Sequence, residues 1–520
     1  MHILMLAAEN GAIPGGKVGG VGDVIRDVPK ALAKVGHEVT VITPGYQRFS
    51  KLLGARLLNT LTIDFCSSLE KISLFQLEGP EKVNGINHLI VENPIFAACG
   101  EGMIYCDDQG HPFARDAHKF ALFCKAVCHT LITGAIVRPD VIHLHDWHST
   151  LFLLLRKTQP AYKKLNSIPT VYTIHNLSIQ GVRPFRQDNS SLEAWFPGLT
   201  YLPAEIADPA IDSCVNMMRM GIKLADKVHV VSPTYAKEIL RPSNPELGLI
   251  RGEGLEKDLR QASRKGKIAG ILNGCEYPTV SKKILSRTEF IDLASDCLLD
   301  WVGNENYINT AYFFAQQRIM SWSRRKEGDI CIVASIGRLT GQKVSLLTKE
   351  IEPGFTALEA LLKELGSGIY IMLGSGDNYY ENFMSRIMSR YDNFIFLKGY
   401  SDELAEALYQ FCDVFLMPSS YEPCGISQML AMRAGKPCLV HKVGGLADTV
   451  KNNVNGFSFS GKAMPDQLKQ MLNTFKRMLK LRCDQPQRWQ TICQAAVDSR
   501  FTWDKSIKEY EEKLYNIKTV

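Results

Sequence analysis

Ser419-Ser420-Tyr421-Glu422-Pro423-Cys424-Gly425-Ile426-Ser427-Gln428 lies between an apolar run, Val414-Phe415-Leu416-Met417, and an apolar helical pattern through Met429, Leu430 and Met432. A strand that turns into a helix at such a stretch is the repeating step of an open α/β sheet, a fold that binds ligands outside the carboxyl ends of its strands. Pro423 holds Glu422 away from helical geometry, and Gly425 lets the backbone come close to a ligand. The carboxylate of Glu422 then stands beside the free N–H groups that open the next helix, which favour an anion. Two opposite charges are thereby offered to one substrate. Taken alone, a Glu-Pro pair reads as an exposed turn, and the rest of the chain reverses that reading.

The same alternation extends on both sides. Ile330 to Ile336 reads as a strand leading to Gly337-Arg338-Leu339-Thr340-Gly341-Gln342-Lys343, Phe355 to Leu365 as a helix, and Ile369 to Leu373 as a strand ending at Gly374-Ser375-Gly376-Asp377. Phe394 to Leu397, Val414 to Met417 and Cys438 to Val440 continue the strands. Arg338 and Lys343, five apart at a strand end, put a planar fork and a point charge near one site. Their place in a strand-end loop, like that of Glu422, favours function over a solvated surface.

In the first half a strand from Ile3 to Ala7 enters Gly15-Gly16-Lys17-Val18-Gly19-Gly20-Val21-Gly22-Asp23-Val24, and Val24, Val28, Leu32 and Val35 then fall at helical spacing, with Pro29 a kink. This β-glycine loop-α unit lacks the dinucleotide fingerprint. Lys17 suits a phosphate gripped part of the time, or is a solvated loop lysine; spacing leaves both open. Strands follow at Glu38 to Thr43, His88 to Val91, Val141 to His145, Pro169 to Ile174 and Lys227 to Val231, with helices at Asp116 to His129 and Asn216 to Leu224. Two of them end in polar groups, His145-Asp146-Trp147-His148 and His175-Asn176, which a parallel sheet opens on one edge. The His and Asp spacings match no zinc template, so hydroxyl binding is preferred over a metal. Arg251 to Lys267, polar and basic, reads as surface or linker, residues 280 to 310 as irregular, and Trp503 to Tyr515 as a final helix with no strand after it.

These units predict an α/β chain of two doubly wound Rossmann-like domains facing a central cleft, residues 1-267 and 268-498, with 499-520 a C-terminal helix. The length of 520 residues, 45% hydrophobic and 22% charged residues, and mean hydropathy of -0.07 fit a soluble globular protein of two or three domains. A net charge of +6 without blocks of like charge implies neither nucleic acid nor a membrane surface as partner. No run approaches a membrane span, and the start is too short and lacks the basic leader of a secretory signal. Fourteen cysteines without CxxC spacing point to reduced thiols and a cytoplasmic setting, or a plastid if a targeting peptide preceded Met1.

With these residues in view, the sequence resembles the bacterial and plastid glycogen (starch) synthases, which are ADP-glucose-dependent retaining glucosyltransferases. The resemblance rests on Lys17-Val18-Gly19-Gly20-Val21-Gly22-Asp23-Val24, His145-Asp146-Trp147, His175-Asn176-Leu177, Ser232-Pro233-Thr234-Tyr235-Ala236, Gly270-Ile271-Leu272-Asn273-Gly274, Gly337-Arg338-Leu339-Thr340, Glu422-Pro423-Cys424-Gly425 and Gly444-Gly445-Leu446-Ala447-Asp448-Thr449-Val450, in that order. It implies the GT-B architecture with its last helix returning to the first domain. Carried over by motif, it also implies that Glu422 is the carboxylate associated with catalysis and that Arg338 and Lys343 neutralise the leaving diphosphate. Lys17, on the Gly19-Gly20 loop, would reach that diphosphate from the other domain. His175, Asp146 and Asn176 would hold the glucose with backbone at Cys424 and Gly425, Tyr400 would lie against adenine, and Asn273 belongs to the substrate-binding set. The implied partners are ADP-glucose and an α-1,4-glucan such as glycogen, starch or a malto-oligosaccharide, with no cofactor and no metal. The sequence departs from the family at Ser420 (usually Arg), Val344 (Gly), Ile179 (Tyr) and Cys275-Glu276 (Ile-Asp), and lacks the Trp-Asn-Pro that normally follows. Two rivals remain: a related transferase with another nucleotide-sugar donor, and a glucan-binding or regulatory homologue without turnover.

Overall fold

The computed structural model describes the chain except residues 79–82, 107–110, 112, 200–203, 278–284, 305–308, 326, 327, 329 and 517–520. The chain divides into two compact units. The first comprises Met1–Ser243, Arg251–Gly274 and Trp503–Val520, the second Asn244–Ile250 and Cys275–Thr502.

Strands of the first unit are β1 (His2–Leu6), β2 (Glu38–Pro44), β3 (Ala55–Phe65), β4 (Ser68–Leu77), β5 (Ile86–Glu92), β6 (Val141–His145), β7 (Thr170–Ile174), the two-residue pair β8 (Arg183–Pro184) and β9 (Cys214–Val215), β10 (Lys227–Val230) and β11 (Ile268–Gly270). All but β8 and β9 form one sheet in the order β11-β10-β7-β6-β1-β2-β5-β4-β3. It is parallel except where β4 pairs antiparallel with β3 and β5. Ile3, Leu4, Met5 and Leu6 are all buried, as a parallel strand covered on both faces requires. Strand order reverses between β1 and β6, so the carboxyl ends of those strands open on the crevice where such sheets bind ligands.

The helix Gly20–Lys34 follows β1 and runs on through Pro29 rather than ending there. Its apolar face packs with the C-terminal segment: Trp503, Ile507, Tyr510, Leu514 and Tyr515 share a core with Ile3, Met5, Val24, Val28 and Val41. That segment is an α-helix, Trp503–Tyr510, continued by a π turn, Glu511–Tyr515.

The second unit contains β12 (Ile332–Ile336), the hairpin β13 (Glu350–Glu352) and β14 (Phe355–Thr356), β15 (Ile369–Leu373), β16 (Phe394–Leu397), β17 (Val414–Met417), β18 (Cys438–His441) and β19 (Gly456–Phe459). Its main sheet, β16-β15-β12-β17-β18-β19, is parallel throughout and reverses direction between β12 and β17.

Several expectations need correction. The polar run at 251–267 is not a linker, because Glu256–Arg264 is a helix that buries Leu259 and Ala262 while Asp258 pairs with Arg219 and Lys223. With β11 paired to β10, the first unit continues through Gly274 instead of stopping at 267. Within 280–310, Arg287–Gly303 is a helix opened by a Ser286–Glu289 capping box, with Phe290, Ala294 and Leu298 buried along one stripe. Residues 280–284 and 305–308 of that stretch lie outside the described residues. Not all thiols are free: Cys99 and Cys106 form a disulfide, seven residues apart.

Candidate active site

Each sheet's reversal point gathers its own cluster of polar residues. In the first unit the chain leaves β1 and reaches Glu9, a buried carboxylate. Its Oε2 accepts the backbone N–H groups of Val18 and Gly19, each at 2.8 Å, and of Gly22 at 3.2 Å; its Oε1 accepts the Tyr105 hydroxyl at 2.9 Å. The glycine loop is thus wound around one carboxylate. A Cβ at Gly22 would stand 3.0 Å from that Oε2, so the loop tightens only with glycine there. Lys17 projects from it and pairs with Asp23 at 2.7 Å; Asp23 in turn meets Arg26 at 3.1 Å. Beside Gly20 there is open space.

At the end of β6, Asp146 adopts φ 53°, a left-handed conformation costly for a residue with a Cβ and typical of functional sites. Its Oδ1 accepts the His175 backbone N–H at 2.8 Å. Burial raises the Asp146 carboxyl to about 7, opposed by the backbone N–H groups of His175 and Asn176. Burial also lowers His175, to about 3, with the His229 ring adding to the effect, so the imidazole is neutral at pH 7. His175 Nε2 lies 3.0 Å from His145 Nδ1. Asn176 Oδ1 closes a local turn by accepting the N–H and hydroxyl of Ser178. Asn273 follows β11, buried, with its Oδ1 lacking a protein partner. A buried acceptor left open is costly unless something else meets it.

In the second unit, β12 leads to Arg338, which is exposed and whose side chain makes no hydrogen bond or ion pair among the described residues. Lys343, in the first turn of the helix Gly341–Thr348, pairs with Glu422 Oε2. That oxygen also accepts the Ser419 hydroxyl at 3.1 Å, and Glu422 is 4% exposed. Residues 79 positions apart meet because β12 and β17 are neighbours at the reversal point. The two glycines at 444 and 445 support the loop from beneath. Gly445 N–H donates to the Glu422 carbonyl at 3.1 Å, and a Cβ on Gly444 would come within 1.8 Å of that oxygen. Gly425 has φ 74°, which turns the chain after buried Cys424. Tyr400, after β16, is 52% exposed and donates its hydroxyl to Asp402 at 2.8 Å; beside it the Trp301 ring covers Gly399.

The departures have local explanations. Val344 is a core residue of the second unit, so a side chain there fills space. Ser420 ties its loop to the Gln342 carbonyl through its N–H, at 2.8 Å, and its hydroxyl, at 3.2 Å. Cys275 is buried and its N–H donates to the Phe501 carbonyl at 2.8 Å; the Glu276 carbonyl accepts from Arg433 at 2.7 Å. Ile179 is exposed, and nothing in the structure explains it.

The structure therefore unites Lys343 with Glu422, groups Asp146 with His175 and Asn176, and leaves Arg338 and Tyr400 exposed in the second unit. Sequence reasoning missed Glu9 and the contact of Ser419 with Glu422. A carboxylate directly ahead of a glycine-rich loop was the available signal for Glu9.

A family model described as the starch synthase catalytic domain matches residues 2–261, and one described as glycosyl transferases group 1 matches residues 324–489. Glycogen synthase of Streptococcus pneumoniae strain 70585 is 31% identical over 539 residues, spanning 99% of this chain and all of the relative; that of strain Hungary19A-6 is also 31% identical, over 544 residues. Among solved structures, the catalytic domain of starch synthase IV from Arabidopsis thaliana, bound to ADP and acarbose, aligns with a TM-score of 0.76 at 24% identity, covering 99% of this chain and 98% of that one. Sucrose-phosphate synthase from Thermosynechococcus elongatus aligns with a TM-score of 0.55 at 17% identity, covering 98% and 97%. Fold and site together define a glycosyltransferase with two Rossmann-like domains, the GT-B class. Within that class the chain belongs to the glycogen/starch synthase family.

Proposed function

We propose that the protein transfers glucose from ADP-glucose to the non-reducing 4-hydroxyl of an α-1,4-glucan, with retention of configuration. The observation that carries this reading is the buried Glu422 with Lys343 as counter-ion at the reversal point of the second sheet. Cleaving a glycosyl–phosphate bond puts negative charge on the diphosphate and positive charge on the sugar. Lys343 and Arg338 meet the first, and the Glu422 carboxylate offsets the second. A diphosphate competes with Glu422 for Lys343, and the carboxylate is then free to face the sugar. In the first unit Asp146, His175 and Asn176 take the sugar hydroxyls, and Lys17 leaves Asp23 for the phosphates. Tyr400 offers an exposed ring for the base. A Starch synthase IV relative solved with ADP and acarbose supports a nucleotide and a glucan as ligands. No step passes through a metal. A cytoplasmic setting belongs to the same reading; among the described residues no helix is long and apolar enough to cross a membrane.

The departures at Ser420 and Val344 keep one second reading in play, a glucan-binding homologue without turnover. ADP release from ADP-glucose, and in parallel UDP release from UDP-glucose, is measured with and without maltoheptaose. The proposal expects acceptor-dependent ADP release that exceeds UDP release. Glucan binding without nucleotide release would establish the second reading, and preference for UDP-glucose would replace the donor.

A further inference from the structure

His145 is one of the most enclosed polar residues in the first unit, and none of the roles above uses it. It ends β6 beside β7, with its ring 1% exposed and stacked on His143 at a centroid distance of 4.4 Å. Its Nδ1 faces His175 Nε2 at 3.0 Å, while its Nε2 is buried with no hydrogen-bond partner in the protein. His175 makes no bond through Nδ1, and that atom is not among the buried ones.

One proton lies between the two rings, and two neutral arrangements can place it there. If His175 donated from Nε2, His145 would carry its proton on Nε2, a buried N–H with nothing to receive it. If His145 donates from Nδ1, its Nε2 is a bare lone pair instead. Orphaned buried N–H groups are the rarer defect, since a donor stripped of water loses its single directed bond. The second arrangement also fixes the far side of His175, whose only proton then sits on Nδ1. We infer that His145 is a positioning residue that donates to His175 Nε2 and so presents His175 to the transferred sugar as an Nδ1–H donor, recognising a hydroxyl by its oxygen lone pair. Asp146 completes the arrangement by holding the His175 backbone at 2.8 Å. The sugar assignment rests on the function proposed above; the tautomer assignment does not.

The test uses the full chain labelled with 15N-histidine. Long-range 1H–15N spectra, with the His175 signals assigned by their loss in His175→Gln, report which ring nitrogen carries the proton. The expected result is protonated Nδ1 and bare Nε2; a His175 protonated on Nε2 overturns the inference even if the protein has no transferase activity. Two variants place opposite groups at the Nδ1 position. His145→Asn can still donate to His175 and should keep the tautomer and stay within about tenfold of the wild-type kcat, whereas His145→Asp offers only acceptors, should move the proton to Nε2 and should lose at least about a further tenfold with ADP affinity unchanged. Equal rates in the two variants, or an unmoved proton in His145→Asp, would contradict the inference. If no transfer from any nucleotide-sugar is found in the wild type, the proposed function fails while the spectra still decide the histidine pair.

Discussion

Glu9→Ala removes the acceptor around which the glycine loop is wound. The carboxylate receives N–H groups from Val18, Gly19 and Gly22 and the hydroxyl of Tyr105. Val18 is exposed, so water can replace its bond; Gly19 and Tyr105 are half-buried and Gly22 is buried. Bonds to a charged group are worth about 1.5–3 kcal/mol each, and discounting the half-buried ones leaves an expected loss of about 3 kcal/mol in the stability of the loop. A two-domain chain does not give one unfolding free energy, so the readout is local: hydrogen–deuterium exchange over residues 16–24. At about 1.4 kcal/mol per tenfold, exchange there should quicken by about a hundredfold in Glu9→Ala. Glu9→Gln keeps an acceptor oxygen without the charge and should quicken it by about tenfold, since neutral bonds are roughly half as strong. Unchanged exchange in Glu9→Ala, with the rest of the first unit equally protected, would refute the reasoning. A uniform rise across the unit would mean Glu9 stabilises the whole sheet instead of the loop.

Further outcomes are expected. Lys17→Ala should lower kcat strongly yet weaken ADP binding by less than Arg338→Ala does, because Arg338 shares its unit with Lys343 and Tyr400 and is already exposed, whereas Lys17 must first leave Asp23; calorimetry and initial rates decide, and equal affinity losses would make Lys17 a ground-state anchor. Activity should survive EDTA, since lysine and arginine serve the leaving group; loss that magnesium or manganese restores would count against this. Stability should fall in acid. Burial lowers His148 and His175 to about 3 and His88 and His229 to about 4, so below the ordinary 6.5 each unfolded histidine takes a proton that the folded one refuses. Their contribution is present above pH 6.5 and is lost as pH falls toward the folded values. Asp146, raised to about 7, runs the other way and offsets one of the four. Burial lowers His143 and His145 as well, so the unfolded first unit binds more protons than the folded one between about pH 6 and pH 4, and its melting temperature should fall as pH is lowered across that range, checked by circular dichroism; a flat profile would contradict it.

The legible parts of the fold were those buried on both faces. Val141–His145, Ile369–Leu373, Phe394–Leu397 and Val414–Met417 read directly as strands because continuous apolar runs leave no other short element. The hairpin of β3 and β4 was hidden because much of it faces water, with Leu57 52% and Leu69 76% exposed, so its alternation is blurred. The helix Arg287–Gly303 was hidden for a related reason: its buried stripe of three residues is flanked by Leu293, Leu299 and Trp301 outside it. At the site, Glu422 was legible from the strand-to-helix junction, but its pairing with Lys343 follows from strand order rather than spacing. Glu9 was legible only from its place directly ahead of the glycine-rich loop, because three of its four partners are backbone N–H groups, which carry no residue-type signal. The Cys99–Cys106 bond was not legible, since a seven-residue gap matches no recurrent motif.

Glucose transfer by Glu422→Gln tests the central claim most directly. Wild type and variant are given ADP-glucose and maltoheptaose, and the products are followed by chain length and by the anomeric proton of the new linkage. The wild type should extend the acceptor with α-1,4-linked glucose. Glu422→Gln, which keeps the shape but loses the charge opposite the sugar cation, should lower kcat by at least about a hundredfold while still binding ADP. Near-normal turnover by Glu422→Gln would contradict the catalytic assignment, and a wild type that leaves maltoheptaose unextended would contradict the function itself.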